Sequence, residues 1–227
     1  MSEPSFTPTV LSKVRRHPER AAYDEATVNA VLDASLVAHI GYVIDGRPFV
    51  TPTLFWREGR TLYWHGAAVS RALDAANGAP VCVTVSLADG LVLAPSGFAH
   101  SLNYRAVMAF GHARAIDDLD VRRACVDAFI ERVYPGRAGT LRPPSEMELK
   151  TTRFMEMPIE EASAKIRAGG VAHLAADEGW GAWSGVLPIE TRIGAPQPDT
   201  AIGALALGLS GAPPFLEGMR LDEALGR

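Results

Sequence analysis

The stretch LVAHIGYVIDGRPFVTPTLFWREGRTLYWH, residues 36–65, decides the fold. Three runs rich in apolar and β-branched residues lie within it, at 36–44, 48–56 and 61–65. Asp45-Gly46 and Glu58-Gly59-Arg60 separate these runs, and short turns of this kind are typical of β-hairpins. Parallel strands would need a helix between them, and this stretch has no room for one. The sequence therefore predicts antiparallel strands.

Outward from this stretch, strand and helix patterns alternate irregularly. Further strands are predicted at 81–87, 91–95, 104–116 and 152–159, with a turn at Ala88-Asp89-Gly90. Helices are predicted after an Asp24 N-cap, and at 70–77, 121–133 and 159–169. Pro52 cannot donate to a sheet ladder, so its strand is expected to have an edge or a bulge there. Six or seven strands of this kind predict a mainly β, antiparallel barrel with appended helices.

Composition narrows the class of protein further. Apolar residues make up 48% of the 227 residues and the formal charge is −4, which favours a globular core and disfavours a nucleic-acid partner. The longest apolar run, at 201–209, is too short for a membrane helix. Cys82 and Cys125 lie in apolar surroundings and are expected to be free thiols. We therefore expect a cytoplasmic protein without a membrane partner.

The length fits one barrel domain with extensions. The domain is expected to span residues 1–193, including an N-terminal arm and the helices. Residues 194–227 are rich in Ala, Gly and Pro and form a predicted C-terminal extension.

The segment WHGAAVSR, residues 64–71, is the strongest local sign of a binding site. A strand ends in a turn of small residues, and a predicted helix opens with Ser70 and Arg71. Free N–H groups at a helix start, together with a guanidinium, can hold a phosphate. The alternative, favoured by the local sequence alone, is that Ser70 caps the helix and Arg71 is solvated. Dinucleotide-binding, P-loop, zincin and hydrolase motifs are absent from the sequence.

Four segments together resemble a known family. They are GRPFVTPTLFW (46–56), TLYWHGAAVSRAL (61–73), HSLNYRAVMAFGHA (100–113) and EEASAKIRAGG with WSGVLP (160–170 and 183–188). In this order and spacing they are similar to the FMN-binding split barrels related to pyridoxamine 5′-phosphate oxidase, in the branch of flavin-nucleotide-binding and nitroimidazole-resistance-like proteins. The resemblance implies a six- to seven-stranded antiparallel split β-barrel. It also implies a homodimer with FMN at the subunit interface.

The resemblance assigns roles to individual residues. The isoalloxazine ring would lie along the strand residues Pro52, Thr53, Leu54 and Phe55. The flavin phosphate would be held by Ser70 and Arg71, and Trp64 and His65 would lie near the ring or the ribityl chain. Arg105 would reach the cofactor or the dimer seam, and Trp183 would reach the partner's flavin. Two positions depart from the family pattern, since Arg71 replaces a common lysine and Ala106 replaces a common serine.

The preferred functional hypothesis is an FMN-dependent oxidoreductase that passes electrons from a nicotinamide donor to a small acceptor. His65 could supply a proton to the reduced substrate, or it could be a hydrogen-bonding residue at a strand end. The alternative is a flavin- or haem-binding protein without turnover, with His39, His65 or His100 as the axial haem ligand. A deazaflavin-dependent reductase on the same barrel is a third hypothesis.

Overall fold

The computed structural model describes residues 5–172, 174–197 and 215–226. Within them the chain forms ten strands and five α-helices. The strands are β1 (Ala21–Ala22), β2 (Val37–Ile44), β3 (Arg47–Glu58), β4 (Thr61–Ala67), β5 (Pro80–Leu93), β6 (Ser101–His112), β7 (Arg114–Ile116), β8 (Thr152–Pro158), β9 (Glu161–Arg167) and β10 (Gly185–Pro188). The helices are α1 (Glu25–Asp33), α2 (Arg71–Ala76), α3 (Leu119–Val133), α4 (Glu146–Thr151) and α5 (Leu221–Leu225).

All strand pairs in the described residues are antiparallel, which confirms the predicted fold class. The strand order is β1-β9-β6-β5-β2-β3-β4-β8-β7, and β10 pairs with the second half of β5. The sheet curls without closing, because the end strands β1 and β7 have no mutual pairing. This open, curled sheet is consistent with the split barrel that the sequence predicts.

Two apolar clusters stabilise the sheet. The larger one fills its concave side and includes Leu62 and Trp64 of β4. The smaller one lies on the opposite face of β3, β4 and β8 and consists of Trp56, Ile116, Cys125 and Phe154, covered by α3. Alternate residues of β4 pack into the two clusters because successive side chains of a strand point to opposite faces.

β3 confirms the expectation for Pro52. Residues 47–54 pair with β2 alone, and β3 pairs with β4 only from Phe55 onward. Pro52 therefore lies where one edge of β3 has no strand partner among the described residues, so its missing N–H breaks no ladder on that side.

The predicted helix over 159–169 is wrong, because residues 161–167 form β9 between β1 and β6. Ala, Glu and Lys favour a helix intrinsically. Ala162 and Ala164 are fully buried, however, and α1 packs on this part of the sheet. Small side chains permit that close approach, so tertiary packing overrides the local propensity.

The predicted turn at Ala88-Asp89-Gly90 is a β-bulge. β5 continues through it and pairs with β6 on both sides of the register shift. The separate strand predicted at 91–95 is thus the second half of β5. The strand predicted over 104–116 is divided into β6 and β7.

Helix starts follow the side-chain chemistry of their caps. Asp24 caps α1 through the N–H of Thr27, as predicted, and Asp118 caps α3 through two N–H groups. α4 was not predicted, although Ser145 and Glu148 form a reciprocal capping box at its start.

The final described segment docks on the barrel. α5 buries Ala224 and Leu225, and Arg132 of α3 donates a hydrogen bond to the Leu225 carbonyl at 3.1 Å. Residues 198–214 of the predicted C-terminal extension lie outside the described part, and the domain boundary at 193 stays a prediction.

Both cysteines are free thiols, as predicted. Burial raises the pKa of Cys82, and burial is also the main cause that raises the pKa of Cys125 to about 11. Across the described residues, no helix combines the length and the apolar character that a membrane crossing requires.

Candidate functional site

A small cavity of about 130 Å³ lies where β2, β3 and β4 meet the start of α2. Its lining residues are Ile40, Tyr42, Thr51, Thr53, Trp64, His65, Gly66, Ser70, Ala72, Leu73 and Ala76. The hydroxyl groups of Tyr42 and Thr51 form a hydrogen bond of 2.9 Å. The structure thus brings together four residues of the predicted flavin site, namely Thr53, Trp64, His65 and Ser70.

Ser70 lines this cavity and Arg71, the next residue, does not, but both side chains are free of hydrogen-bond partners among the described residues. Ser70 is the N-cap residue of α2, but its side chain makes no capping hydrogen bond. Arg71 is exposed, and no ion pair or hydrogen bond to another described residue engages its guanidinium. Because α2 has six residues, the two side chains rather than the helix dipole must supply most of any attraction for an anion.

The four predicted residues of β3 divide between its two faces. Thr53 and Phe55 face the inner side, and Phe55 is 2% exposed and packed in the core. Pro52 and Leu54 face outward and are exposed. A ligand beside this strand would therefore meet its unpaired backbone edge, together with Thr53, while the Phe55 side chain is taken up by core packing.

His65 lies in an aromatic environment on the outer face of β4. Its ring centroid is 4.6 Å from that of Phe129 on α3 and 5.4 Å from that of Phe154 on β8. The Nδ1 atom is buried and has no hydrogen-bond partner in the described structure. Burial lowers the pKa of His65 below its usual value of 6.5, so the imidazole is predominantly neutral at neutral pH. A neutral, unpaired imidazole is the form that binds a metal.

Arg105 lies away from this cavity and is engaged in ion pairs. It contacts Asp89 at 2.7 Å and Asp222 of α5 at 2.9 Å. The hydrogen bonds that Arg105 donates to the Asp89 carboxylate are the largest cause that raises the pKa of Arg105. These residues line a second cavity, of about 330 Å³, whose wall also includes Leu54.

The remaining predicted side chains are differently placed. Trp64 is 2% exposed and belongs to the core, so its contribution to a site is to shape the cavity wall. Trp183 is 62% exposed and lies in none of the described strands. The other candidate haem ligands, His39 and His100, are both exposed. His100 already contacts the Ser96 carbonyl through Nδ1, at 2.9 Å.

A family model described as pyridoxamine 5′-phosphate oxidase matches residues 24–166. The match covers β2 to β8, which include every strand around the first cavity. This chain belongs to the pyridoxamine 5′-phosphate oxidase family. The family is the one that the four sequence segments indicated, and the split-barrel fold agrees with it. No protein in a curated set matches the sequence significantly.

Solved structures support the assignment over most of the chain. The flavocytochrome Anf3 from Azotobacter vinelandii has 39% sequence identity and a TM-score of 0.81, covering 88% of this chain and 92% of that one. A FAD and haem binding protein from Mycobacterium smegmatis has 32% identity and a TM-score of 0.78, covering 89% and 98%. A protein from Bacteroides thetaiotaomicron named for 5-nitroimidazole antibiotic resistance shares the fold, with 21% identity and a TM-score of 0.54, covering 64% and 86%.

Some candidate functional residues could not be found by local sequence reasoning. Tyr42 and Thr51 lie on different strands, and Phe129 meets His65 across more than sixty residues of chain. No local pattern carries such contacts. Asp222 of α5 was equally hidden, because its partner Arg105 lies on the distant strand β6.

Proposed function

We propose that this protein binds a flavin nucleotide and a haem, and transfers electrons from a nicotinamide donor to a small acceptor. The observation that carries the proposal is the free β3 edge beside the uncommitted Ser70 and Arg71 side chains. When bound, the flavin supplies hydride chemistry and the haem supplies one-electron chemistry. The chain's own part is to bind and orient these groups.

The residues around the first cavity fit a flavin. The polar edge of an isoalloxazine needs N–H and C=O partners, and residues 47–54 of β3 offer both on their unpaired side. A ribityl phosphate needs donors, which Ser70 and Arg71 supply. Arg71 keeps the charge of the lysine common in the family and adds a forked donor geometry.

FMN was expected from the sequence, and FMN and FAD share the groups that these residues would hold. We propose FAD as the physiological form, because the Mycobacterium smegmatis relative is named for FAD over nearly the same chain length. FMN as the sole retained flavin would contradict this choice and leave the flavin site itself intact.

Haem binding is supported by the names of both relatives above 30% identity. The residues present fit a haem at His65, where a buried Nδ1 lacks a partner and three aromatic rings surround the imidazole. We propose His65 as the axial ligand, in preference to the exposed His39 and His100. A predominantly neutral imidazole is a poor acid, which favours the ligand role over proton donation.

A homodimer is part of the proposal. On the outer side of the sheet, an apolar surface is exposed by Val37 and Val43 of β2, Val50 and Leu54 of β3, and Met108 of β6. Apolar patches of this kind often mark protein interfaces. The unpaired edge of β3 borders the same surface, so a second copy there would lie beside the proposed flavin site.

An absorption spectrum of the purified protein, recorded after adding flavin and haemin and desalting, tests the proposal. We expect two flavin bands and a Soret band, about one of each group per chain, and bleaching of the flavin bands by NADH or NADPH. Chromatography of the extracted flavin distinguishes FAD from FMN. Light scattering should give twice the chain mass of 24.3 kDa. A colourless desalted protein would refute the proposed function.

The phosphate assignment is tested by Arg71→Ala. Losing one charged hydrogen-bonding group is expected to weaken flavin binding by about 10- to 150-fold, measured by fluorescence titration of the flavin-free protein. Arg71→Lys should recover most of the affinity. Arg137→Ala, at an exposed arginine outside the cavity lining, is the matched control. Equal affinity in a folded Arg71→Ala protein would remove Arg71 from the site.

A further inference from the structure

Arg153 brings a second guanidinium group to the region of Ser70 and Arg71. It lies on β8 directly opposite Gly66 of β4, and Gly66 belongs to the lining of the first cavity. The Arg153 side chain is on the inner face of β8, because Met155, two residues further on, packs into the larger apolar cluster. Arg153 is therefore on the side of the sheet that α2 covers.

α2 lies close against β4 at this point. A Cβ added to Gly66 would be 3.2 Å from Leu73 Cδ1, so the missing side chain lets the helix approach the strand. The approach brings Asp74 of α2 to Arg153, and the two side chains form an ion pair. Arg71 and Asp74 are three positions apart and lie on the same side of the helix. Asp74 thus holds Arg153 on the side of α2 that also carries Arg71.

The ion pair leaves most of the Arg153 guanidinium available. Nη1 contacts Asp74, and Nε and Nη2 have no hydrogen-bond partner among the described residues. These two groups form one edge of the guanidinium, which can donate two parallel hydrogen bonds to a phosphate. The Asp74 side chain is 60% exposed, and exposed ion pairs contribute little to stability. A phosphate can therefore add to this contact or displace the carboxylate.

The local charge favours an anion with more than one negative group. Arg71 and Arg153 contribute two positive charges and Asp74 one negative charge, although the whole chain has a formal charge of −4. The sum of these three side chains is one positive charge, which attracts phosphates. A first phosphate at Ser70 and Arg71 leaves Arg153 for a second one.

We propose that Arg153 binds the second phosphate of a flavin dinucleotide and makes the site selective for FAD over FMN. FMN has one phosphate and FAD has two in succession, so FAD alone can engage Arg71 and Arg153 with separate phosphates. Asp74 positions Arg153 in the flavin-free protein and opposes phosphate binding through its charge. The inference rests on the proposed flavin site and names the residue that distinguishes the two flavins there.

The experiment measures FAD and FMN affinity by fluorescence titration of the flavin-free protein. Arg153→Ala is expected to weaken FAD binding about tenfold and FMN binding by less than about threefold. Asp74→Asn is expected to strengthen FAD binding about threefold, since it frees Arg153 and removes a negative charge. Arg114→Ala, which breaks an ion pair to Glu156 on the outer face of β8, is the matched control and should leave both affinities unchanged.

The opposite signs of these two effects separate phosphate binding from a structural role. If the ion pair only held α2 in place, Arg153→Ala and Asp74→Asn would weaken FAD binding alike. That result would overturn the inference, and so would unchanged FAD affinity or an equal loss of FAD and FMN affinity in Arg153→Ala. Arg153→Gln, which keeps the length of the side chain without its charge, provides the same comparison if Arg153→Ala does not fold.

Failure of the proposed function is distinguishable from failure of this inference. If the wild-type protein binds FAD and FMN and Arg153→Ala has no selective effect, the flavin site stands and the inference falls. A protein that binds neither flavin refutes the proposed function, and inorganic pyrophosphate and phosphate then serve as probes, observed by phosphorus NMR. Pyrophosphate should bind more tightly than phosphate, and Arg153→Ala should reduce that preference about tenfold. A preference that Arg153→Ala leaves unaltered would overturn the inference.

Discussion

Haem reconstitution of a His65→Ala protein is expected to give no Soret band, while the flavin bands remain. The imidazole is the proposed iron ligand, and its removal leaves three aromatic rings that cannot replace it. Loss of an outer partner of a ligand typically costs 10- to 100-fold in metal affinity, and loss of the ligand itself should cost more. The flavin is expected to stay because the β3 edge, Ser70 and Arg71 are unchanged.

Controls for this prediction are available in the chain. His39→Ala and His100→Ala should keep the Soret band, because both side chains are exposed. Added imidazole should restore the band in His65→Ala by occupying the vacated space. A normal Soret band in His65→Ala, or its loss in His39→Ala, would contradict the assignment.

A wild-type protein that binds flavin but no haem would return His65 to the proton-donor hypothesis. In that case His65→Ala should retain flavin and lose NADH-driven reduction of an acceptor. Unchanged activity would leave His65 as a structural residue. Stopped-flow measurement of flavin reoxidation distinguishes these two outcomes.

The sequence predicts local parts of the site better than their assembly. Ser70 and Arg71 could be identified because a strand end, a small-residue turn and a helix start are adjacent in the chain. Arg105 could be identified as important, but its partners could not, since Asp222 is 117 positions away. The pairing with Asp89 was also hidden by the expected turn at 88–90, which is a bulge within a continuous strand.

The fold shows the same contrast between features that are signalled locally and features that depend on distant parts of the chain. Hairpin-linked strands and capped helices are correctly predicted because their signals lie within a few residues. β9 is not, since its Ala-rich sequence satisfies a helix locally and a strand only in the presence of α1 and β6. α4 is a different case, because its Ser145–Glu148 capping box was visible in the sequence.

Gly111→Ala is expected to destabilise the fold severely. A Cβ at this position of β6 would lie 2.2 Å from the Pro158 carbonyl oxygen and 3.0 Å from Met157 Cγ. The first contact is with backbone, which cannot rotate away as a flexible side chain can. The strand ends are also tied here by the hydrogen bond from Glu160 N to the Phe110 carbonyl, at 3.0 Å. We expect the free energy of unfolding to fall by about 3 kcal/mol or more.

Thermal and denaturant unfolding measure this effect, with Gly139→Ala as the matched control. A Cβ at Gly139 meets no atom within 4 Å, so its unfolding free energy should stay within about 0.5 kcal/mol of wild type. A loss of 3 kcal/mol corresponds to a melting temperature lower by about 6–12 °C in a chain of this size. If Gly111→Ala has the same melting temperature as the control, β6 and β8 can separate at little cost. The contact between these two strands would then not be what keeps the open sheet curled. The unpaired β3 edge would have to be held in position by the dimer rather than by the barrel.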